Sequence, residues 1–451
     1  MKIKRLVIKF GGVSLKNYER LKNTAEIIKD NRNKELVVVI SAIGESTNEL
    51  IKSSNKALNG IVDYELIKNI HIEICDKLNV DFIKLVPIFN DLEITLNRIK
   101  DSKQILKHER NLIMSYGERL SIIVLSEYLN NIGVNAKAVD SWKIGIITNS
   151  NYLNAEILES SIDVVNKNVT KLLKKEIIPI VPGFIAKDNL GFITTLGRGG
   201  SDLTASFIAS AIKADKVILW KDVDGILSSN PKLVENTIKL NNISFKEASE
   251  MAFFGAEILH PQSLFPIIGK NISAEIRNFL KPNNDGTIIV DIPDNNNNNK
   301  IKAISYKESI TMIHIESNRM LGHFGFLAKV FEIFDDLKIS VDMIATSEVS
   351  ISLTLDDINN LENLELRLSE FATVKISNNQ SIISLIGNTQ KPTSIFNKAF
   401  EILKENEIEI KMVSYGASHI NISFIIEANE LKRTVNILHD GLILESEEKL
   451  C

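Results

Sequence analysis

The hydrophobic positions in the first half of the chain alternate between short apolar runs and longer stretches with helical spacing. Apolar runs at 5–10 and 35–41 predict buried strands, and the spacing at 18–29 predicts an amphipathic helix. Further strands are predicted at 135–139, 177–181 and 216–219, and further helices at 118–131 and 157–175. Strands that alternate with helices imply a largely parallel sheet covered on both faces, so the predicted fold class is α/β.

Turns rich in small or polar residues follow several of these predicted strands. They lie at Gly11-Gly12, Ala42-Ile43-Gly44, Pro182-Gly183 and Asp224-Gly225. In an open parallel sheet, ligands bind beyond the carboxyl ends of the strands, and all four turns fall at that edge. The sequence therefore predicts one ligand-binding edge assembled from distant parts of the chain.

The stretch from Thr194 to Ala209 is the strongest local signal at this edge. Gly197, Gly199 and Gly200 predict a tight turn, and a helix is predicted at 203–214, with Ser201 and Asp202 able to cap it. Such a turn directs free N–H groups and the positive end of the helix at one point, and Arg198 adds a full charge beside them. This arrangement is typical of an anion site.

The residue composition of the chain changes near residue 290. Proline, glycine and a run of asparagines at 281–286 and 291–300 predict a linker. Beyond it, 331–343 and 400–412 are similar at an offset of 69 residues, and each copy predicts a separate βαββ module. The predicted division is 1–290, a linker with a leading strand at 291–308, and modules at 309–378 and 379–451. The repeats suit sensing better than chemistry, and their sheet edges invite pairing with a second copy.

Composition narrows the possible functions. The 451 residues carry a formal net charge of −4 without a basic stripe, which argues against nucleic acid and anionic lipid as partners. Two cysteines cannot form a disulfide framework, and no apolar run is long enough to cross a bilayer. We therefore expect a cytoplasmic protein with a small-molecule ligand and no membrane contact.

Candidate chemical groups stand at several of the turns. Lys9 precedes Gly11, Gly12 and Ser14, so its ammonium and the following N–H groups could clamp phosphate oxygens. Glu118 is expected at the head of an apolar helix. Each residue has a plainer explanation as well: Lys9 as a solvated lysine, and Glu118 as a favourable carboxylate at a helix start.

Seven motifs together resemble the aspartokinase family, in the order and spacing of that family. They are Lys9-Phe-Gly-Gly-Val-Ser14, Ser41-Ala-Ile-Gly-Glu-Ser-Thr-Asn48, Ser115-Tyr-Gly-Glu-Arg-Leu120, Pro182-Gly-Phe-Ile-Ala186, the 194–205 loop, Asp222-Val-Asp-Gly225 and Phe254-Gly-Ala-Glu-Ile-Leu-His-Pro261. The second half is similar to the paired ACT regulatory modules of these enzymes. Segments 319–328 and 340–348 most resemble the lysine-inhibited, single-function type. The resemblance implies the amino-acid-kinase three-layer sandwich, followed by two ACT modules.

The resemblance also implies a reaction and a role for each matched residue. ATP with Mg²⁺ would phosphorylate the β-carboxylate of L-aspartate, as the first step of lysine, threonine and methionine biosynthesis. The implied catalytic residues are Lys9, Arg198 and Asp202, and the implied aspartate-binding residues are Thr47, Glu118, Arg198 and Ser201. The implied nucleotide-binding residues are Lys9, Gly11, Gly12, Ser14, Lys221, Asp222, Leu227 and Lys232. No protein metal ligands are implied.

Regulation follows from the same resemblance. The implied effector residues are Met320, Gly325, Phe326, Leu327, Val341, Asp342 and Thr346, with L-lysine as the expected effector. The carboxylate of Asp342 is suited to pair with an ammonium group. Pairing between ACT modules implies a homodimer or a larger homo-oligomer.

Three positions depart from the family pattern. Val13 replaces a usual threonine, Leu227 a usual tyrosine, and Glu257 a frequent lysine, all of them affecting expected nucleotide contacts. Two other functions stay open on the sequence alone. One is a kinase of the same fold that acts on another acid, and the other is a catalytically inactive amino-acid sensor.

Overall fold

The computed structural model describes residues 4–255, 258–292, 300–317, 324–356, 359–387, 392–416 and 419–445. Two compact units account for the chain. The first takes 1–226, 241–245 and 258–294, and the second takes 227–240, 246–257 and 295–451. The main change between units falls close to the predicted boundary at 290, but two earlier segments, 227–240 and 246–257, group with the second unit.

The first unit contains an eight-stranded sheet and a three-stranded sheet. Its strands are β1 (Arg5–Phe10), β2 (Glu35–Ile40), β3 (Ala136–Ala138), β4 (Ile147–Thr148), β5 (Ile178–Pro182), β6 (Ile185–Asp188), β7 (Ile193–Thr195), β8 (Lys216–Lys221), β9 (Asn242–Ser244), β10 (Ser273–Asn278) and β11 (Thr287–Val290). The large sheet has the order β3-β5-β2-β1-β8-β10-β11-β9, and β4, β6 and β7 form the small one. Every described pair in the large sheet is parallel except β10 with β11, which confirms the predicted mainly parallel α/β fold.

Helices lie on both faces of the large sheet. They are α1 (Tyr18–Asp30), α2 (Ser46–Leu58), α3 (Glu65–Leu78), α4 (Val86–Ser102), α5 (Lys107–Asn131), α6 (Ser141–Ile144), α7 (Ser161–Leu173) and α8 (Gly200–Ala211), whereas all but the first residue of α9 (Phe245–Phe253) belongs to the second unit. Leu6, Ile8 and Phe10 of β1 join one apolar core with residues of α1, α3, α4 and α5. Because side chains alternate along a strand, Lys9 points to the other face, where it meets α8. The sheet is therefore buried from both sides.

The second unit contains one six-stranded antiparallel sheet. Its strands are β12 (Ile301–Glu316), β13 (Ile344–Thr346), β14 (Ser350–Leu355), β15 (Thr373–Gly387), β16 (Met412–Tyr415) and β17 (Asn421–Glu427), in the order β13-β14-β12-β15-β17-β16. Its helices are α10 (Phe326–Asp336), α11 (Leu361–Ser369), α12 (Pro392–Glu405) and α13 (Leu431–His439).

The two repeats share strands instead of forming the separate modules that the sequence predicts. The first part of β12 pairs with the last part of β15, and the second part of β12 pairs with β14 and with the start of β15. Two long strands therefore serve both repeats, and that expectation of separate modules is wrong. Each repeat also has a second helix, α11 or α13, which the βαββ prediction lacks. Among the described residues, no helix is long and apolar enough to cross a membrane.

Candidate active site

Two lysines and one aspartate form a cluster at the carboxyl edge of the large sheet, in which Lys9 and Asp202 are buried and Lys221 is partly exposed. Lys9 lies near the end of β1, Lys221 ends the neighbouring strand β8, and Asp202 lies in the first turn of α8. The Nζ atom of Lys9 is 2.7 Å from Oδ1 of Asp202, and the Nζ atom of Lys221 is 2.6 Å from Oδ2. One carboxylate thus holds two ammonium groups, and the cluster keeps one positive charge in excess.

The charges of this cluster depend on one another. Burial raises the pKa of Asp202, but Lys9 and Lys221 outweigh that effect and bring the pKa to about 2. Burial lowers the pKa of Lys9, and the charge of Lys221 lowers it further, whereas Asp202 raises it. Since an opposite charge at this distance favours the charged form, Asp202 helps to keep Lys9 protonated.

The turn after β1 combines two glycines, which leave the backbone uncovered, with an unsatisfied hydroxyl. A Cβ added at Gly11 would lie 3.2 Å from the Nζ atom of Lys9, and one at Gly12 would lie 3.7 Å from the carbonyl oxygen of Gly44. The amide of Ser14 donates to the carbonyl oxygen of Gly11, whereas its buried Oγ has no hydrogen-bond partner within the described ranges. The turn can therefore take a ligand that approaches close to the backbone.

The start of α8 differs from the predicted capping arrangement. The helix begins at Gly200, and neither Ser201 nor Asp202 caps it, because both lie within its first turn. Gly197 and Gly199 have φ values of +71° and +69°, which favour glycine and let the chain turn sharply into the helix. The capping prediction is wrong, and both side chains are instead turned toward the sheet.

Ser201 lies against the ends of two other strands. Its Oγ accepts a hydrogen bond of 3.0 Å from Oγ of Ser41, directly after β2. A Cβ at Gly183, directly after β5, would come within 2.6 to 2.7 Å of Ser201. The carboxyl ends of β2 and β5 therefore meet the start of α8, as the sequence predicts for the polar edge.

Glu118 lies in the middle of α5, since this helix begins at Lys107, and so the expected position at a helix head is wrong. The residue is 4% exposed, and its Oε2 atom has no hydrogen-bond partner in the described part of the chain. Burial raises the pKa of Glu118 to about 8, although backbone hydrogen bonds from Glu118 and Ala42 oppose the shift. A buried carboxyl group with a free oxygen is suited to accept an ammonium group.

Two more candidate substrate residues lie near these elements. Thr47 is close to the middle of α5, because a Cβ at Gly117 would lie 3.5 Å from its Oγ1. Arg198 is exposed in the glycine-rich turn, and no described carboxylate pairs with it. Its charge reaches His260, whose pKa is lowered first by burial and then by Arg198. Arg198 is thus available to an anionic ligand.

Comparison with known proteins gives the family. Residues 4–278 match the amino acid kinase family, and residues 313–359 and 383–442 match the ACT domain. The chain is 39% identical over 455 residues to aspartokinase 2, chloroplastic, of Arabidopsis thaliana, which covers 96% of this chain and 84% of that protein. The chain belongs to the aspartokinase family.

Two solved aspartokinase structures have the same fold. E. coli aspartokinase III in complex with aspartate and ADP, in the R-state, has a TM-score of 0.80 at 29% identity and covers 97% of this chain and 100% of that chain. The same enzyme in complex with lysine and aspartate, in the T-state, has a TM-score of 0.77 at 30% identity and covers 97% and 99%. The predicted amino acid kinase fold with ACT modules is therefore confirmed.

The remaining candidate nucleotide residues of this aspartokinase are divided between the units. Asp222 is exposed directly after β8. Leu227 and Lys232 belong to the second compact unit. Val13 is 40% exposed, and Glu257 lies outside the described residues.

The candidate effector residues lie at α10 and β13, apart from Met320, which is outside the described residues. Gly325 precedes α10 with a φ of +83°, Phe326 packs edge-on against Phe371, and Leu327 is 43% exposed. Val341 packs against the core of the first repeat, and Thr346 ends β13 exposed. Asp342 is already paired with an ammonium group of the chain itself, because Nζ of Lys307 lies 2.9 Å from its Oδ1.

Sequence reasoning missed three features of the candidate active site. It placed Lys221 at the nucleotide but did not predict its pairing with Asp202. It gave no role to Ser41, although this residue ends a predicted strand. It noted Gly183 only as part of a turn, whereas the contact with Ser201 explains why that position has no side chain. The position of each at or close to the carboxyl end of a strand was the signal available.

Proposed function

We propose that this chain transfers the γ-phosphoryl group of ATP to the β-carboxylate of L-aspartate, giving 4-phospho-L-aspartate and ADP. The observation that carries the proposal is the Lys9–Asp202–Lys221 cluster, whose uncompensated positive charge lies beside a glycine turn at the carboxyl edge. Membership of the aspartokinase family and similarity to an enzyme in complex with aspartate and ADP support the choice of substrates.

The two lysines stabilise charge on the migrating phosphoryl group. A β-carboxylate oxygen attacks the γ-phosphorus while the bond to the ADP oxygen breaks. The carboxylate is already ionised at neutral pH, so the step needs no general base. Lys9 and Lys221 face this charge, Asp202 holds both in place, and the Gly11, Gly12 and Ser14 turn supplies N–H groups and a hydroxyl.

The acceptor is held by groups on α5, α2 and the turn before α8. Arg198 grips the α-carboxylate with its forked donors, and Glu118 pairs with the ammonium through its free Oε2 atom. Ser201 and Thr47 complete the contacts. An uncompensated carboxyl group that is buried costs stability, and an aspartate ammonium removes that cost.

Nucleotide contacts and Mg²⁺ complete the proposed site. Asp222, Leu227 and Lys232 contact the nucleotide, and the loss of hydroxyls at Val13 and Leu227 weakens its binding. Within the described residues, no group of three or more His, Cys, Asp or Glu side chains could hold a metal ion. Mg²⁺ enters as part of the MgATP substrate, bound through phosphate oxygens.

Regulation and cellular context are further parts of the proposal. L-Lysine is the effector at Gly325, Phe326, Leu327, Val341, Asp342 and Thr346, with Met320 as an additional contact. Residues 1–290 form the catalytic domain, and 309–378 and 379–451 the regulatory modules, which pair in a homodimer. The enzyme acts in the cytoplasm at the first step of lysine, threonine and methionine biosynthesis.

Acceptor specificity tests the reaction. Purified chain is mixed with MgATP and L-aspartate, L-glutamate or N-acetyl-L-glutamate, and ADP release is followed while hydroxylamine traps any acyl phosphate. We expect ADP and hydroxamate with aspartate alone, and loss of both in Lys9→Met. Lys216→Met is the matched control, since Lys216 pairs with Glu275 at the other end of β8. Turnover with a different acid, or L-lysine binding without any turnover, would refute the proposal.

A further inference from the structure

A second buried ion cluster lies in the regulatory unit. Nζ of Lys307, on β12, is 2.9 Å from Oδ1 of Asp342 and 2.6 Å from Oδ2 of Asp356. The ring of Phe253 lies 4.3 Å from the same nitrogen. The side chain of Lys307 is 14% exposed and that of Asp342 is 5% exposed, whereas Asp356 is 52% exposed. The ammonium is thus held by two carboxylates and an aromatic face.

This cluster has one negative charge in excess. Two carboxylates face one ammonium, and the buried Oδ2 atom of Asp342 has no hydrogen-bond partner within the described residues. An isolated buried carboxylate oxygen is costly, and natural proteins satisfy nearly all such atoms. The free oxygen and the excess charge both point to a cationic group that is supplied by a ligand.

A second lysine on the same strand pairs with a carboxylate that has no free oxygen. Nζ of Lys302, also on β12, lies 2.9 Å from Oε1 and 3.0 Å from Oε2 of Glu247, so both oxygens of that carboxylate have a partner. The side chains of Lys302 and Glu247 are 20% and 7% exposed, similar to Lys307 and Asp342. The Lys302 pair is complete in itself, and the Lys307 cluster is not.

We propose that Lys307 is a positioning residue of the effector site, which orients Asp342 through Oδ1 and leaves Oδ2 free for the ammonium group of an amino-acid effector. This inference rests on the effector assignment made above. Asp356 neutralises Lys307 from the solvent side, so that the ligand ammonium enters without displacing Lys307. The site is therefore preformed for a cation before the effector arrives.

Lys307 also keeps Asp342 ionised. Burial and the facing Asp356 carboxyl raise the pKa of Asp342 to about 6, while Lys307 opposes the rise. Without Lys307, the two carboxyl groups can share a proton, and Asp342 no longer offers a full negative charge at neutral pH. A lysine that only stabilised the fold would leave the pH dependence of effector binding unchanged.

The test measures L-lysine binding to the full chain by calorimetry, which needs no catalytic activity. In Lys307→Met we expect affinity at pH 7 to fall about tenfold, one pKa unit of Asp342 being worth a factor of ten, and to recover in part at pH 8.5. Lys307→Arg keeps the charge and should stay within about threefold of the parent. Lys302→Met is the matched control, expected to lose stability without losing L-lysine affinity.

Other outcomes distinguish a failure of the proposed role of Lys307 from a failure of the effector assignment. Unchanged L-lysine affinity in Lys307→Met, or an equal loss at pH 7 and pH 8.5, would overturn the role of Lys307. If Asp342→Ala loses binding in the same experiment, the effector assignment survives that failure. If Asp342→Ala binds L-lysine like the parent, or the parent does not bind it, the assignment and the inference both fall.

Discussion

Glu118 should make the affinity for aspartate depend strongly on pH. Burial raises the pKa of this carboxyl group to about 8, so at pH 7 only about one molecule in eleven carries the charge that pairs with the substrate ammonium. Binding draws the equilibrium to the ionised form and releases a proton. The penalty at pH 7 is about 1.4 kcal/mol, the worth of one pKa unit.

The sign and size of the effect follow from this equilibrium. Because the group is ionised only as the pH rises through its pKa, the KM for aspartate should fall roughly tenfold from pH 6 to pH 7 and roughly fivefold from pH 7 to pH 8. It should then level off, and kcat should follow a separate pH profile. Steady-state ADP release from pH 6 to pH 8.5 gives KM, and calorimetry in buffers of different ionisation enthalpy counts the proton.

Two variants isolate the cause. Glu118→Gln keeps the shape but cannot ionise, so its KM should be nearly independent of pH and at least about tenfold higher at pH 8, the cost of losing a charged hydrogen bond. Glu109→Gln is the matched control, because Glu109 is equally buried on α5 but is already paired with Arg98. A flat KM in the parent from pH 6 to pH 8, without proton release, would refute the reasoning.

Other substitutions test the rest of the site. Lys221→Met should lower kcat/KM for ATP roughly a hundredfold in steady-state kinetics, and an effect of the same size in Lys216→Met would argue against a local role. Asp202→Asn leaves the buried ammonium group of Lys9 beside that of Lys221 without a counter-charge, so Lys9 should lose its proton more easily. The pH at which kcat declines on the alkaline side should therefore move down, and an unchanged alkaline decline would contradict this. Gly183→Ala places a methyl group against the first turn of α8 and should lower the free energy of unfolding, measured in urea, by about 1 to 3 kcal/mol and raise the KM for aspartate. A urea midpoint equal to that of the parent would show that the first turn of α8 can move to accommodate the methyl group.

Continuous apolar runs predicted five of the eight strands described in the large sheet, whereas β9, β10 and β11 were not predicted. Strand β1 lies at Arg5–Phe10 as predicted, and β2 and β8 differ by two residues or fewer, because a strand buried on both faces needs an unbroken run of apolar residues. The start of helix α5 was harder to predict from sequence. It is buried nearly all round and carries buried polar residues such as Asn111 and Ser121, so its first eleven residues show no clear apolar stripe.

Pairings between distant residues could not be predicted in the same way. The contact of Lys221 with Asp202 depends on the alignment of β1 with β8 and on the depth at which α8 begins, neither of which is encoded locally. The repeat at an offset of 69 residues predicted two similar modules, but it did not show that β12 and β15 serve both. Whether two repeats share strands depends on the length of the strands and on their pairing. Both copies have the same local sequence pattern, so that pattern cannot distinguish shared strands from separate ones.

The excess charge of the Lys9 cluster explains why Asp202 is needed although it touches neither substrate in the proposed reaction. Two ammonium groups alone at this edge would repel each other, and burial would favour loss of the proton from Lys9. The shared carboxylate of Asp202 raises the pKa of Lys9 against these effects, and its own pKa of about 2 keeps it ionised throughout the working range. A second carboxylate would neutralise the cluster and remove its attraction for phosphate. One anion between two cations is therefore the composition that helps to keep Lys9 charged and still leaves a net positive field for the migrating phosphoryl group.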